Sequence, residues 1–95
     1  MIGLSRRYIV VDKRDNVATA ITDIVKGVSF DIDGRIIKIV EDISYGHKFA
    51  IVDIPNNEYV IKYGERIGRA IAKIPIGAHV HVHNVEDIVD EVRKL

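Results

Sequence analysis

Residues 60–84 read VIKYGERIGRAIAKIPIGAHVHVHN, and here the chain stops looking like a generic small domain. Two β-rich runs, 58–62 and 66–72, flank Tyr63-Gly64-Glu65, where Gly64 supplies the freedom of a tight turn and Tyr63 is expected to cap the core. Gly68, inside the second run, points to a bulge or to another backbone passing close by. The stretch ends in His79-Val80-His81-Val82-His83. Successive side chains of an extended chain point to opposite faces, so a strand over 79–83 would set three imidazoles on one side and two valines on the other. Three of the protein's four histidines lie in those five residues. The valines are expected to face the core, which leaves the imidazole face for another task.

The same turn chemistry recurs outward from this stretch. Asp23-Ile24-Val25-Lys26-Gly27, Asp42-Ile43-Ser44-Tyr45-Gly46, Asp53-Ile54-Pro55-Asn56-Asn57 and Lys73-Ile74-Pro75-Ile76-Gly77 each offer a polar residue, an isoleucine, two variable positions and then Gly or Asn. The isoleucine would pin the turn to the core, and the final residue would enter the left-handed backbone region. Uneven spacing between the copies argues for a turn reused within one domain and against a solenoid. Strands are expected after these turns, over 47–52, 58–62, 66–72 and 79–83. A hairpin is expected where 28–32 and 35–40 flank Asp33-Gly34, the dipeptide that best tolerates positive φ in a two-residue connection. Tyr8-Ile9-Val10-Val11 reads as the first strand.

Two helices complete the expectation. One runs from Asn16 to Lys26, with Val17, Ala20, Ile21, Ile24 and Val25 at helical spacing, Asp15 or Asn16 as cap and Gly27 as terminator. The other is a C-terminal helical tail over 85–95, with Val85, Ile88, Val89 and Val92 at helical spacing and Arg93-Lys94 late.

Composition bounds the function. Ninety-five residues suit one domain, 1–95, and leave no room for a second core. Fourteen basic and fourteen acidic residues cancel, and no basic run is present, so nucleic acid is not an expected partner. Cysteine is absent, which removes disulfides, thiolate catalysis and Cys-ligated metal and fits a reducing cytoplasm. No apolar run approaches the length that spans a bilayer, and Met1 to Arg7 lacks a signal-peptide core, so no membrane partner is expected.

Five motifs occur in order: Asp15-Asn16-Val17-Ala18, Gly46-His47-Lys48-Phe49-Ala50, Val60-Ile61-Lys62-Tyr63-Gly64, Ile67-Gly68-Arg69-Ala70 and Gly77-Ala78-His79-Val80-His81-Val82-His83-Asn84. Through them the chain resembles the amino-terminal domain of the altronate/galactarate dehydratase family, a SAF domain of the β-clip type. The resemblance runs from about Tyr8 to Asn84. It implies a mainly β fold and a hydro-lyase acting on sugar acids, which removes water from a 2,3-dihydroxy carboxylate to give a 2-keto-3-deoxy acid. Longer members of the family continue into a large catalytic region. The chain therefore resembles a free-standing small subunit whose partner is a separate large dehydratase subunit, with self-association left open. The implied cofactor is a divalent metal, iron or manganese, held mainly by that large subunit.

Such chemistry needs a base for the proton α to the carboxylate and positive charge for the enediolate that forms. His47, Lys48, Lys62, Tyr63 and Asn84 are the candidates for contacting substrate. His79, His81 and His83 are the candidates for metal. A His-x-His pair sets Cα atoms about 6 to 7 Å apart, but three ligands in line on one strand diverge, so at most two share one ion without a further ligand. Each candidate also has a plain structural reading: solvated histidines on an exposed face, a solvated strand start at His47-Lys48, a tight turn at Tyr63-Gly64. Two function classes stay open on these residues, a lyase subunit and a small β-clip module that binds a carbohydrate or a protein without chemistry. Within the first, a lyase acting on a sulfonated hydroxy acid is the near alternative.

Overall fold

The computed structural model describes residues 3, 4 and 7–89, and four copies of one turn organise it. Ile24 and Ile43 exchange backbone hydrogen bonds of 2.8 Å, and Ile54 and Ile74 do the same, so the turns meet in two antiparallel pairs. All four isoleucines are buried. The last residue of each copy, Gly27, Gly46, Asn57 or Gly77, has positive φ. Each then donates its amide to a strand or strand-end carbonyl, that of Ile39, Ala20, Ala70 or Ala50 respectively. The leading aspartates cross-brace the pairs. Asp23 accepts the Tyr45 amide and Asp42 the Lys26 amide, both at 2.8 Å. In the second pair Asp53 accepts the Ile76 amide at 2.8 Å, but Lys73 has no carboxylate to return the bond to Asn56. Lys73→Asp is expected to complete the pattern and to stabilise the domain by about 0.5–1.5 kcal/mol, the net worth of one hydrogen bond. A rise in melting temperature with slower hydrogen exchange at the Asn56 amide is the readout.

Between the turns run ten short strands among the described residues: β1 (Gly3–Leu4), β2 (Tyr8–Val10), β3 (Val17–Ala20), β4 (Ser29–Ile32), β5 (Arg35–Lys38), β6 (Lys48–Ala50), β7 (Tyr59–Lys62), β8 (Glu65–Ala70), β9 (His79–Val80) and β10 (Val85–Glu86). They form an antiparallel five-stranded sheet in the order β1-β2-β3-β6-β9, a three-stranded sheet β10-β8-β7, and the hairpin β4-β5. This is the expected small, mainly β architecture of a β-clip. Two apolar clusters lie on either side of the five-stranded sheet. Ala18, Ala20, Phe49 and Ile51 face the hairpin side with Ile32, Ile37 and Ile39, where the Tyr8, Phe30 and Phe49 ring centroids lie 5.0–6.3 Å from one another. Val17, Ala50 and Val80 face the other side with Val60, Ala70 and Ile74.

The expected hairpins are present. Asp33 (φ 55°) and Gly34 (φ 80°) connect β4 to β5, and Tyr63 (φ 61°) and Gly64 (φ 68°) connect β7 to β8. Two consecutive positive φ values are those of a type I′ turn, which matches the twist of the flanking strands. That geometry turns Tyr63 outward, so it is 58% exposed and does not cap the core. Gly68 lies beside a register shift between Val60 and Ile61, with Val85 and the Glu86 carbonyl crowding over it, as a bulge under a passing strand requires.

The helix expected over 16–26 is not there. Residues 17–20 are β3, and 23–27 are the first turn copy. Both faces of β3 are buried, Val17 on one and Ala18 and Ala20 on the other, so its apolar residues show no clean alternation and mimic a helical spacing. The expected caps bind distant backbone instead. Asn16 donates to the Tyr59 carbonyl (2.9 Å) and accepts from the Ile61 amide (2.7 Å), and buried Asp15 accepts from the Gly64 amide (2.8 Å). The expected C-terminal helix is also displaced at its start, because Val85 and Glu86 pair with Ala70 and Arg69 as β10. Helical geometry begins only at Val89, and the remainder of that expected helix, 90–95, lies outside the described residues.

Candidate functional site

The antiparallel seam between β6 and β9 pairs Phe49 with His79 and Lys48 with Val80. Continued by one residue, this register sets His47 opposite His81, and directly opposed residues project from the same face. The fourth histidine therefore joins the three that the sequence places together. His47 stacks on His81 with ring centroids 4.1 Å apart and on His79 at 5.0 Å, and His79 lies 5.3 Å from His81 and 5.2 Å from His83. The His47 Nδ1 and His79 Nε2 atoms are 2.8 Å apart, a hydrogen bond in which one ring donates and the other accepts. Ligand nitrogens of His47, His79 and His81 lie within 4.8 Å of one another, and so do ligand atoms of Glu41, His79 and His83.

The strand that carries these residues is shorter than the alternation implies. β9 ends at Val80, and residues 81–84 turn. Asn84 closes that turn, accepting from the His81 amide (2.9 Å) and donating to the His79 carbonyl (2.8 Å). Val82 consequently leaves the core and is 80% exposed, whereas Val80 is buried as expected. On the opposite strand, Gly46 (φ 82°) turns the chain and the His47 amide donates to the Ser44 carbonyl at 2.9 Å. Both ends of the imidazole stack are thus tied to backbone.

Alternation sends Lys48 to the other face from His47. There it lines a groove of about 300 Å³ with Val60, Ile67, Val80, Val85, His81 and Asp87. Lys48 is half-buried, and its pKa lies below the ordinary lysine value, first through burial and then through the nearby Lys62 ammonium. Directly opposite Lys48, on β3, is Thr19, whose buried hydroxyl has no hydrogen-bond partner among the described residues. Lys62 ends β7 with its ammonium 4.8 Å from the Tyr63 ring centroid. The structure therefore splits the expected set in two, an imidazole cluster on one face and the Lys48–Lys62 pair on the other, with His81 next to both.

Two of these imidazoles, His79 and His81, are held toward their neutral forms. His79 has a pKa below the usual imidazole value through burial and then through His47, His83 and His81, with Glu41 opposing. His81 is lowered by burial, then His47, then Lys48. Neutral imidazoles are the form that binds metal. Register brings His47 into this cluster, and the sequence signal that could have shown it is a histidine directly after the glycine that ends the second turn copy, as His79 follows within two residues of the glycine that ends the fourth.

Known proteins share this chain's pattern. The model of the altronate/galactarate dehydratase SAF domain family matches residues 6–88. Altronate dehydratase of Escherichia coli is 44% identical over 78 residues, covering 82% of this chain and 16% of that enzyme. Galactarate dehydratase (L-threo-forming) of the same organism is 43% identical over 75 residues, 77% of this chain and 14% of the enzyme. The (2R)-sulfolactate sulfo-lyase subunit alpha of Chromohalobacter salexigens is 39% identical over 90 residues, 87% of this chain and 96% of that subunit. The chain thus spans about a sixth of the length of the dehydratases and nearly all of the sulfo-lyase subunit. Among the described residues, no helix is long and apolar enough to cross a membrane.

Proposed function

Because this chain belongs to the SAF-domain family of altronate and galactarate dehydratases, we propose that it is the small subunit of a sugar-acid lyase and completes the active site of a larger catalytic chain. The observation that carries this reading is the imidazole cluster, whose His81 also lines the groove of half-buried Lys48 on the other face. A site that must enclose a substrate needs walls around it, and a domain of this size buries only a modest core, so further walls would come from a second chain. The reaction is an elimination: the proton α to the carboxylate leaves to a base, the electrons pass through an enediolate, and the hydroxyl on the next carbon departs with a proton as water. Lys48 and Lys62 suit the carboxylate and the enediolate, which are anionic, and the neutral imidazole of His81, where it holds no metal, suits taking the α-proton and, as imidazolium, returning a proton to the departing hydroxyl. A divalent metal, iron or manganese, would add positive charge at the enediolate. Asn84 positions His79 and His81 through backbone contacts.

A second reading has one observation in its favour, the match along nearly the whole sulfo-lyase subunit alpha. In it the same α-proton is removed but sulfite, and not water, departs from the neighbouring carbon.

The test is reconstitution. The 95-residue chain is mixed with candidate large chains and assayed on aldonates, aldarates and sulfolactate. The chain alone is expected to be inactive, and the mixture to turn over a sugar acid. Sulfite release from sulfolactate would select the second reading. Turnover by the chain alone would overturn the subunit role, and inactivity of every mixture would remove the lyase reading.

A further inference from the structure

We propose that His47, His79 and His81 form a metal site carried by this chain itself, taking one divalent transition ion of the zinc, cobalt, nickel or iron(II) class. The lyase reading does not require such a site, since a metal there is assigned mainly to the larger chain. The geometry supplies the argument. Three imidazole nitrogens from two paired strands already lie within 4.8 Å of one another, and the closest two are 2.8 Å apart. Zinc–nitrogen bonds of about 2.0–2.1 Å in a tetrahedral shell place ligand nitrogens roughly 3.3 Å apart. His47 and His79 therefore need to open by roughly half an ångström and His81 to close by at most about 1.5 Å, movements within rotation of partly exposed rings.

The donor set selects the ion class. All three donors are imidazoles, which favour zinc, copper, nickel and iron, whereas magnesium, calcium and manganese favour carboxylate and carbonyl oxygen. No carboxylate belongs to this triad. A stack of rings without a metal has one hydrogen bond between two of its members and no partner of opposite charge inside it. Replacing the shared proton with a cation gives all three nitrogens a common partner. The backbones of the ligands are held in advance, His47 by Ser44 and its turn, His79 and His81 by Asn84, as a site that binds without large rearrangement requires. Three protein nitrogens leave at least one coordination position for water or a substrate oxygen.

Glu41 and His83 offer an alternative set that shares His79. The experiment separates the two. The purified chain is titrated with zinc by calorimetry and with cobalt(II) by visible absorption, alongside melting temperature with and without metal. Wild type is expected to bind one ion per chain, to melt higher with it, and to show the intense visible bands of low-coordinate cobalt. His47→Gln, His79→Gln and His81→Gln should each weaken binding by about a hundredfold or more, since loss of a ligand exceeds the tenfold to hundredfold typical of outer-shell changes. His83→Gln should stay within about threefold of wild type, less than the weakest of those outer-shell effects. Melting of each apo variant near the wild-type temperature shows that the fold is intact. Wild-type affinity no tighter than that of His79→Gln would overturn the site, and so would a loss in His83→Gln as large as in His47→Gln. Neither result bears on lyase turnover, which the reconstitution reads separately.

Discussion

Gly77→Ala is expected to destabilise the domain by about 3 kcal/mol or more, which for a chain of this size lowers the melting temperature by roughly 15 °C. Gly77 closes the fourth turn copy at φ 84°, and a Cβ there would run into the Lys38 carbonyl at the end of β5. Its own amide and carbonyl are also committed, to Ala50 (2.8 Å) and to Val40 (3.1 Å), so the backbone has little room to retreat. Gly27, at the equivalent position of the first turn copy, is the control. It has φ 98°, and a methyl group there would meet nothing within 4 Å, so Gly27→Ala carries only the left-handed penalty, about 1–2 kcal/mol. The difference between the two variants isolates the crowding. Thermal melts of both check it, and equal losses would show that the Lys38 contact is readily relieved. Gly77 also leads through Ala78 into β9, so a variant that survives is expected to lose order at His79 and His81 first.

The turns are legible in the sequence because their signal is local. A positive-φ residue, an anchoring isoleucine and a side-chain acceptor all fall within five residues, and the Asp33-Gly34 hairpin is shorter still. The helix expected over 16–26 fails where the deciding contacts are remote. Asn16 answers to Tyr59 and Ile61, more than forty residues away in the chain, and β3 is sandwiched between two clusters that no local pattern reveals. The first turn copy contradicts that helix from within, since Asp23 to Gly27 cannot both end a helix and repeat the turn of Asp42 to Gly46. The site divides in the same way. Alternation brings His79, His81 and His83 together, but it overruns the strand by three residues because Asn84 closes a turn. His47 and Lys48 are neighbours in sequence and read there as one feature, yet the pleat assigns them to opposite faces of β6. Only the β6–β9 register, a tertiary fact, joins His47 to His81.

Lys48→Met is expected to separate stability from function. An ammonium that burial and Lys62 both disfavour is a cost to the fold, and an unbranched apolar side chain of similar length fills the same space between Val60, Val80 and Val85 without it. The variant should therefore melt at the wild-type temperature or a little above. Activity should move the other way. In the reconstituted lyase, Lys48 is proposed to face the carboxylate and the enediolate that develops from it, and loss of one such charge-stabilising donor typically lowers turnover by about 10²–10³-fold. The unpartnered Thr19 hydroxyl directly across from Lys48 favours a polar occupant on this face. Lys48→Arg keeps the charge but not the compact ammonium, and is expected to recover only part of the loss. If the effect falls on kcat and kcat/KM alike, Lys48 acts on the developing charge; if it falls on KM alone, the residue only holds substrate. Wild-type kcat/KM in Lys48→Met, with the complex assembled, would place the substrate elsewhere. That the fold keeps a half-buried ammonium which an apolar residue would replace without strain is what a binding role at this position explains and a structural role does not.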